Sequence, residues 1–317
     1  MTRGTPSANV PPQACDRCTR PSAAFLRYSG QHLCGDHFRE FTRRRVKREV
    51  RRQGPYPAGS RIAIGVSGGK DSIVALHLLA EVFRDRRDVE LVAVSVDEGI
   101  EGYRPPALAI ARRAAERLGV AWKSVAYRDV AGVTMDGIVA TPRDRLPCAY
   151  CGVLRRRSLN DAAKAVGATH LATGHNLDDT AQTILMNTLK GDVERLARLG
   201  PHRRVQPGLV PRLMPLRAIP EREVALFAIL EGLEYHDGEC PYSTEATRGR
   251  YRDLLLDLEA KEPGTRHALV AGYDRMADLL AARFAGAADA LRPCLACGEP
   301  ASGATCAACA LLAEVRS

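Results

Sequence analysis

A short loop with the sequence SGGKDS, residues 67–72, carries the side chains best suited to chemistry in this chain of 317 residues. Its two glycines permit a tight turn and a close approach of the backbone to an anion. The loop lies between an apolar run and a helical pattern, so the free N–H groups of a helix N-terminus add to the site. We therefore predict a pyrophosphate cradle formed by Ser67, Gly68, Gly69, Lys70, Asp71 and Ser72.

The spacing of this loop differs from the G-x4-G-K-[ST] spacing of the P-loop in kinases and GTPases. It is similar to the PP-loop, S-G-G-x-D-S, of N-type ATP pyrophosphatases. That resemblance implies that ATP is cleaved between its α and β phosphates and that AMP is transferred to a substrate oxygen. A second loop, GHNLDD at 174–179, follows another apolar run. Its carboxylates are suited to hold magnesium or to orient a substrate.

Eight residues near the two ends of the chain have the spacing of zinc ligands. A C-x2-C pair and a C-x2-H pair lie near the N-terminus, and two C-x2-C pairs lie near the C-terminus. Two such pairs can surround one tetrahedral zinc ion, and a closed site of this kind is structural. The predicted ligands are Cys15, Cys18, Cys34 and His37 for the first zinc and Cys294, Cys297, Cys306 and Cys309 for the second.

Three of the 10 cysteines remain, namely Cys148, Cys151 and Cys240. Three thiolates can hold a 4Fe-4S cluster and leave one iron open to an exogenous ligand. They can instead form a zinc site with His236 or His175 as the fourth ligand. They can also carry out persulfide and disulfide chemistry without a metal. Spacing favours the cluster and leaves the other two arrangements open.

Strand and helix patterns alternate between these motifs. Apolar runs predict strands at 61–66, 90–96, 122–127 and 169–173, and helical periodicity predicts helices at 73–82, 105–118, 153–166 and 180–189. This alternation predicts an α/β fold with a doubly wound parallel sheet. Both glycine-containing loops then lie at the carboxyl ends of strands, where such sheets bind ligands. A basic helix at 38–52, an irregular loop at 201–220 and helices at 221–233 and 248–284 complete the prediction.

The positive charge of the chain is concentrated in a few segments. The net charge is +9, with a block at 43–52, a second at Arg155, Arg156 and Arg157, and a group of Arg195, Arg198, Arg203 and Arg204. Basic segments of this kind suit a polyphosphate partner, RNA above all, and the alternative for the first block is a solvated helix face. We expect a disordered N-terminal lead-in, no membrane span and a cytoplasmic protein.

The order of the motifs resembles that of the tRNA 2-thiouridine synthetases, a PP-loop family that replaces the 2-oxo group of a tRNA uridine with sulfur. The resemblance extends from Cys15 to Cys309 and includes SGGKDS, VDEGI, PCAYCGVLRR, ATGHNLDDTAQT, PLRAIPEREV and ECPYS. It implies an adenine nucleotide alpha hydrolase-like fold flanked by the two zinc knuckles. We expect three units: the first knuckle with its basic helix at 1–53, the PP-loop domain at 54–286 and the second knuckle at 287–317.

The resemblance also implies roles for single residues. ATP contacts are expected from the PP-loop together with Val66, Val96, Arg155 and Gly174, while Cys148, Cys151 and Cys240 match the ligands of a 4Fe-4S cluster. Asp71 and Asp179 are candidates for magnesium binding or proton handling. ATP then activates the uridine O2 as an adenylate, and a sulfide on the cluster, or alternatively a cysteine persulfide, replaces it as AMP leaves.

Two branches of the family fit, one acting on wobble uridine 34 and one on uridine 54 of the T-loop. The N-x2-K-G-D-x3-L pattern from Asn187 to Leu196 favours the wobble branch. The resemblance further implies a homodimer and a sulfur donor that is either sulfide or a ubiquitin-like carrier protein. Two hypotheses compete with thiolation: a PP-loop enzyme that attaches an amine to an adenylated base, and a zinc-ribbon RNA-binding protein with a vestigial nucleotide fold.

Overall fold

Two small units that contain the predicted zinc ligands stand at the ends of the described chain. The computed structural model describes residues 13–201, 206–243, 248–284 and 291–316, so the predicted lead-in and the residues Arg203 and Arg204 lie outside the described residues. The terminal elements are β1 (Ala24–Leu26), β2 (Gln31–Leu33) and α1 (Gly35–Gln53) at one end and β8 (Arg292–Pro293), β9 (Pro300–Ala301) and α12 (Ala307–Arg316) at the other.

A five-stranded parallel sheet forms the centre. Its strands are β3 (Ser60–Gly65), β4 (Val89–Asp97), β5 (Ala121–Ala126), β6 (His170–Ala172) and β7 (Arg212–Leu213). Their order is β5-β4-β3-β6-β7, so the chain runs outward from β3 to β5 and then returns to the other side of β3. The predicted doubly wound α/β fold is confirmed. Its topological switch point lies between β3 and β6, where such sheets bind ligands.

The fifth strand, β7, lies in the segment that the sequence predicted to be irregular. It is two residues long, and backbone bonds from Leu171 N to Pro211 O at 2.8 Å and from Thr173 N to Leu213 O at 2.9 Å hold it to β6. A strand this short carries no period-2 pattern, so its pairing with β6 is what defines it.

Helices connect the strands and follow the sheet. They are α2 (Lys70–Phe83), α3 (Arg104–Arg117), α4 (Tyr127–Ala131), α5 (Met135–Ala140), α6 (Pro147–Ala165), α7 (Leu177–Leu189), α8 (Val193–Ala197), α9 (Glu221–Leu230), α10 (Arg248–Lys261) and α11 (Thr265–Arg283). Helix α6 begins earlier than the periodicity predicted because Pro147 occupies its first turn, a position that proline favours. Cys148 and Cys151 therefore lie inside the helix and not before it.

Alternate residues of the central strand face two different helical layers. Ile62 and Ile64 belong to the core that contains Leu76 of α2, whereas Ala63 packs with Leu171 and with Ala163 of α6. Helices thus cover both faces of the sheet, as a doubly wound parallel sheet requires. None of the helices in the described ranges is long and apolar enough to cross a membrane.

Each terminal unit shares a core with the body of the protein. Leu33 and Phe38 of the first unit are fully buried in the core beneath α2 and α9. In the second unit, Leu311 of α12 packs with Tyr150 and Leu154 of α6. The division at 53/54 and 286/287 remains a prediction.

Candidate active site and metal-ligand groups

The SGGKDS loop crosses from the end of β3 to the start of α2, as predicted. Gly68 has φ +89°, and a Cβ atom there would lie 2.2 Å from the carbonyl oxygen of Ala107 in α3, so only glycine fits. Ser72 Oγ accepts from the backbone N–H of Ser67 at 3.0 Å and donates to Gly69 O at 2.9 Å. Helix α2 has no side-chain cap at Gly69, so its first N–H groups remain available to an anion.

The second loop touches the first at the switch point. A Cβ atom on Gly174 would lie 2.9 Å from the backbone N of Ser72, so this glycine permits the close approach of the two loops. Asn176 begins α7, accepts from Asp179 N at 3.1 Å, and donates from Nδ2 to Asp71 Oδ1 at 3.2 Å. Both predicted loops therefore form one site.

Charged partners hold Lys70 and Asp71 within the loop. Lys70 Nζ lies 2.8 Å from Glu221 Oε1 at the start of α9 and 3.1 Å from Asp71 Oδ2. Burial lowers the pKa of Lys70, but Glu221 and Asp71 together raise it by more than burial lowers it, so the net shift is upward. Burial raises the pKa of Asp71, and the nearby Asp179 carboxylate adds to the rise. Asp71 and Asp179 are thus close enough to interact, as a shared cation would need.

A chain of ion pairs joins the PP-loop to the cysteines. Arg104 at the start of α3 donates to Ser67 O at 2.7 Å and pairs with Glu98 at 2.6 Å. The other oxygen of Glu98 lies 2.9 Å from Nε of Arg155, and Nη2 of Arg155 donates to Cys151 Sγ at 3.1 Å. Side chains of Glu98 and Arg104 are each only 4% exposed, so both charges depend on this network.

Cys148, Cys151 and Cys240 lie around one end of α6. Cys151 and Cys240 pack against the same apolar cluster, and the exposed Cys148 thiol points to the carbonyl oxygen of Tyr242, 3.6 Å away. Tyr242 lies two residues after Cys240, so the two segments meet there. Burial raises the pKa of Cys240, and the neighbouring Cys151 raises it further.

The first predicted zinc ligands converge around one point. Cys18 Sγ lies 3.7 Å from Cys34 Sγ, and His37 Nδ1 lies 3.3 Å from Cys15 Sγ. A zinc tetrahedron with bonds of about 2.0–2.3 Å requires ligand atoms about 3.3–3.8 Å apart, close to the spacing found. Cys34 caps α1, and His37 follows in the first turn of that helix.

The second predicted group converges in the same way. Cys297 Sγ and Cys306 Sγ are 3.7 Å apart, and the backbone N–H of Cys306 donates to Cys294 Sγ at 3.2 Å. That bond is the main cause that lowers the pKa of Cys294 to about 6, which favours the thiolate that a metal needs. Across the described residues, ligand atoms converge to within 4.8 Å of one another in these two groups alone.

This distribution bears on the zinc alternative for the remaining cysteines. Cys148, Cys151 and Cys240 form no group of the compact kind in the described chain, with or without His175 or His236. His175 is exposed and pairs with Thr173 Oγ1 at 2.9 Å. A third compact zinc site is therefore not supported by the geometry, whereas a larger metal cluster needs more widely spaced thiolates.

Other predicted site residues occupy more constrained positions than the sequence indicated. Val66 and Val96 are 1% and 3% exposed, and their carbonyl oxygens accept from Ser95 Oγ and Arg104 Nε. Asp179 Oδ2 accepts from Asn176 N at 3.2 Å and so helps to cap α7. These residues border the two loops, and their roles toward ATP and magnesium remain predictions.

The basic segments also separate into different roles. Arg155 belongs to the Glu98 network, while Arg157 lies 3.5 Å from Asp161 and 3.9 Å from Cys309 Sγ of the second knuckle. Arg195 and Arg198 pair with acids of their own short helix, at 3.1 Å with Asp192 and 3.8 Å with Glu194. On α1, Arg44 and Arg52 likewise pair with Glu40 and Glu49 of the same helix, whereas the exposed Lys47, Arg48 and Arg51 form no ion pair within the described residues.

The sequence reasoning missed Arg104 and Glu98 as functional residues. Glu98 stands in the VDEGI segment directly after β4, and Arg104 begins the next helix. The position of Glu98 directly after an apolar run was a usable signal, because the carboxyl ends of central strands form the ligand edge of the sheet. The pairing of Glu98 with Arg104 could not be predicted in this way, since it depends on how α3 and α6 both approach that edge.

Comparisons with known proteins agree with this geometry. Residues 41–259 match the family model described as PP-loop domain, and residues 15–39 match the N-terminal LIM domain of the 2-thiouridine synthetase TtuA. The chain is 43% identical to the tRNA 2-thiolation protein NcsA of Haloferax volcanii, over 96% of this chain and 99% of that protein. The chain belongs to the PP-loop family of tRNA 2-thiolation proteins.

Further relatives of this family member support the same assignment. The cytoplasmic tRNA 2-thiolation protein 1 of Bos taurus is 43% identical over 96% of this chain and 88% of its own length. A solved structure, the U34-tRNA thiolase NcsA from Methanococcus maripaludis with its [4Fe-4S] cluster, has 37% identity and a TM-score of 0.75, and the match covers 84% of this chain and 87% of that chain. The predicted resemblance to the wobble branch is confirmed, and thiolation is favoured over amine attachment and over a vestigial binding module.

Proposed function

We propose that this family member is an ATP-dependent tRNA 2-sulfurtransferase that acts on wobble uridine 34. The observation that carries the proposal is the chain of contacts from Ser67 O through Arg104, Glu98 and Arg155 to Cys151 Sγ, which is buried at Arg104 and Glu98 and exposed at Arg155. It ties an anion-binding loop to a cysteine site at one edge of the sheet. Such a connection suits a reaction that first activates an oxygen with ATP and then replaces it with sulfur.

The adenylation half-reaction follows from the PP-loop. Backbone N–H groups at the start of α2 and the ammonium of Lys70 would bind the pyrophosphate, and the bond between the α and β phosphates breaks as the uridine O2 attacks the α phosphorus. Lys70 pairs with Glu221 and Asp71. These partners hold Lys70 at the loop, and Asp71 with Asp179 would hold the accompanying magnesium.

The second half-reaction replaces the adenylated oxygen at C2 with sulfur and releases AMP. Cys148, Cys151 and Cys240 would hold a 4Fe-4S cluster, whose fourth iron can bind an exogenous sulfide. The fit rests on three thiols that approach one end of α6 without the compact convergence of a zinc tetrahedron. Arg155 donates to Cys151 Sγ, and Tyr127 donates to the carbonyl oxygen of the same residue at 2.9 Å.

The two terminal groups would each hold one structural zinc ion, since their ligand spacing matches a tetrahedron. A homodimer is supported by exposed apolar side chains on α10 and α11, namely Leu254, Leu256, Met276 and Leu279, at 44%, 49%, 53% and 73% exposure. The sulfur donor is proposed to be sulfide or a ubiquitin-like carrier protein that delivers it. The proposed cytoplasmic location accords with the name of the Bos taurus relative, a cytoplasmic tRNA 2-thiolation protein.

Nucleoside mass spectrometry on tRNA from a strain that lacks the gene tests the function. We expect 2-thiouridine to disappear from the anticodon fragment and to return with the wild-type gene but not with Lys70→Ala or Cys148→Ala. Loss from the T-arm fragment instead would select uridine 54 and contradict the proposal. Purified protein that thiolates tRNA fully after complete removal of iron would contradict the cluster.

A further inference from the structure

A cleft of about 490 Å³ opens between the first knuckle, α1 and α11. Its size is typical of small-ligand sites. Aromatic and cationic side chains line it, among them Arg17, Tyr28, Phe41, Arg45, Arg48 and His267. Neither ATP binding nor the metal sites account for this composition.

Rings and guanidinium groups alternate along the cleft as a ladder. The His267 ring lies 4.3 Å from the Tyr28 ring, and the Arg45 guanidinium lies 5.5 Å from the Tyr28 ring and 5.1 Å from the Phe41 ring. Arg17 follows at 5.8 Å from Phe41. A ladder of this kind extends naturally by one further planar group, because bases stack on aromatic rings and on guanidinium planes.

The inner part of the ladder is already fully paired. Arg45 is 7% exposed and donates to Tyr28 OH at 2.7 Å, to Glu223 Oε2 at 2.7 Å and to His267 Nε2 at 3.1 Å. Burial and the Arg45 charge lower the pKa of His267 to about 4, so this ring is neutral near pH 7. The side chains at the floor of the cleft therefore hold one another in place, and none of them offers an unpaired charge to a ligand.

The outer part has the opposite character. Arg17 and Arg48 are exposed, and within the described chain neither forms an ion pair. Arg48 belongs to the exposed face of α1, whose five cations recur at helical spacing: Arg44, Lys47, Arg48, Arg51 and Arg52. This face extends for about 12 Å along the helix and ends at the cleft. A phosphodiester chain that follows the face would thus reach the ladder.

We propose that this cleft holds one unstacked nucleotide of the tRNA, with its base on the outer face of the Arg17 guanidinium and its phosphate against Arg48. The inference rests on the proposed function, which makes tRNA the substrate. The nucleotide is not the uridine that is modified. Glu223 pairs with Arg45 beside the cleft, whereas Glu221 of the same turn pairs with Lys70, so the first turn of α9 separates the cleft from the PP-loop.

Equilibrium tRNA binding by matched variants tests the inference. Arg17→Lys keeps the charge and removes the planar stacking surface, and Arg48→Gln removes the phosphate partner. Arg51→Gln is the control, since it makes the same change of charge one turn further along the exposed face. We expect Arg17→Lys and Arg48→Gln each to weaken tRNA binding about tenfold, as loss of one stacked base or one close phosphate contact does. Arg51→Gln should cost about twofold, through long-range attraction alone.

Three further measurements separate the possible outcomes. Zinc content and thermal midpoint should be unchanged in Arg17→Lys, which excludes damage to the knuckle, and thiolation at saturating tRNA should keep its maximal rate. Equal losses in Arg48→Gln and Arg51→Gln, or an unchanged affinity in Arg17→Lys, would overturn the cleft while wild-type thiolation continues. Failure of the proposed function would show instead as no thiolation by the wild type. Binding of free AMP that Arg48→Gln abolishes would identify a free nucleotide as the occupant and overturn the assignment to tRNA.

Discussion

The two terminal knuckles and the site around α6 both consist largely of cysteine, but their geometry differs. In each knuckle four ligand atoms lie within 4.8 Å of one another, whereas in the described chain Cys148, Cys151 and Cys240 form no such group. The knuckle ligands Cys15, Cys34, Cys294 and Cys306 are buried, while Cys148 is exposed. A closed set of four converging ligands suits a structural metal site, whereas an open arrangement that reaches solvent suits a catalytic one.

The largest effect that this comparison predicts is on activity. Cys148→Ser should lower the rate of tRNA thiolation by more than about a hundredfold. Mutation of a residue that only hydrogen-bonds to a metal ligand lowers activity about 10- to 100-fold, and loss of the ligand itself should lower it more. Its thermal midpoint and zinc content should stay close to the wild-type values, since the thiol is exposed. Thiolation assays with nucleoside mass spectrometry measure the loss. Near wild-type activity in Cys148→Ser would remove the distinction between the two kinds of site.

The next effect concerns stability and separates the two knuckles. Cys306→Ala should release one zinc ion and unfold the second knuckle, because metal binding supplies most of the folding free energy of so small a unit. Since this knuckle packs on Tyr150 and Leu154 of α6, iron content should fall as well. Cys34→Ala is the matched variant in the first knuckle, and it should lose zinc but retain iron.

Metal analysis of both variants, with hydrogen exchange of α6, measures this difference. The first knuckle contacts the body through α1 and α9, so its loss should leave exchange in α6 unchanged. Equal loss of iron from Cys34→Ala and Cys306→Ala would show that the second knuckle has no special link to the cysteine site.

A smaller effect is expected where the cysteine site meets the PP-loop. Glu98→Gln should destabilise the protein by about 3 kcal/mol, because it leaves the buried Arg104 without its counter-charge. The thiolation rate should fall too, since Arg104 holds Ser67 and Arg155 contacts Cys151. Urea unfolding and thiolation kinetics measure the two losses. Glu101→Gln is the control, as it makes the same change at an exposed position of the same loop, and a comparable loss there would exclude the network as the cause.

Local patterns in the sequence predicted most of this architecture. Apolar runs at 61–66 and 90–96 became β3 and β4, and the C-x2-C pairs became the two compact groups. Such features depend on residues close in sequence, which the strand period and ligand spacing reveal directly. Gly68 was predicted to approach an anion and Gly174 to contact ATP by resemblance, and the structure adds that a side chain at either position would clash with neighbouring backbone.

Contacts between distant segments could not be predicted. Lys70 pairs with Glu221, and Arg45 pairs with Glu223, across 151 and 178 positions of sequence. The segment PLRAIPEREV was recognised by resemblance alone, and its acids acquire their partners only when α9 packs beside α1 and α2. The triple arginine at 155–157 was read as one basic patch, yet Arg155 and Arg157 face two different sites.

The smallest predicted effect tests how the second knuckle is attached. Tyr150 is fully buried and donates to Glu314 Oε2 of α12 at 3.1 Å, so Tyr150→Phe should weaken the contact by about 1 kcal/mol. Zinc release from the second knuckle to a chelator should then be about fivefold faster, because that is what this free energy corresponds to. Tyr56→Phe is the matched control, as it loses a similar bond to Val50 O at 3.1 Å beside α1. If both variants accelerate zinc release equally, the Tyr150–Glu314 contact does not attach the second knuckle to α6. The selective loss of iron expected of Cys306→Ala would then require a different contact between that knuckle and α6.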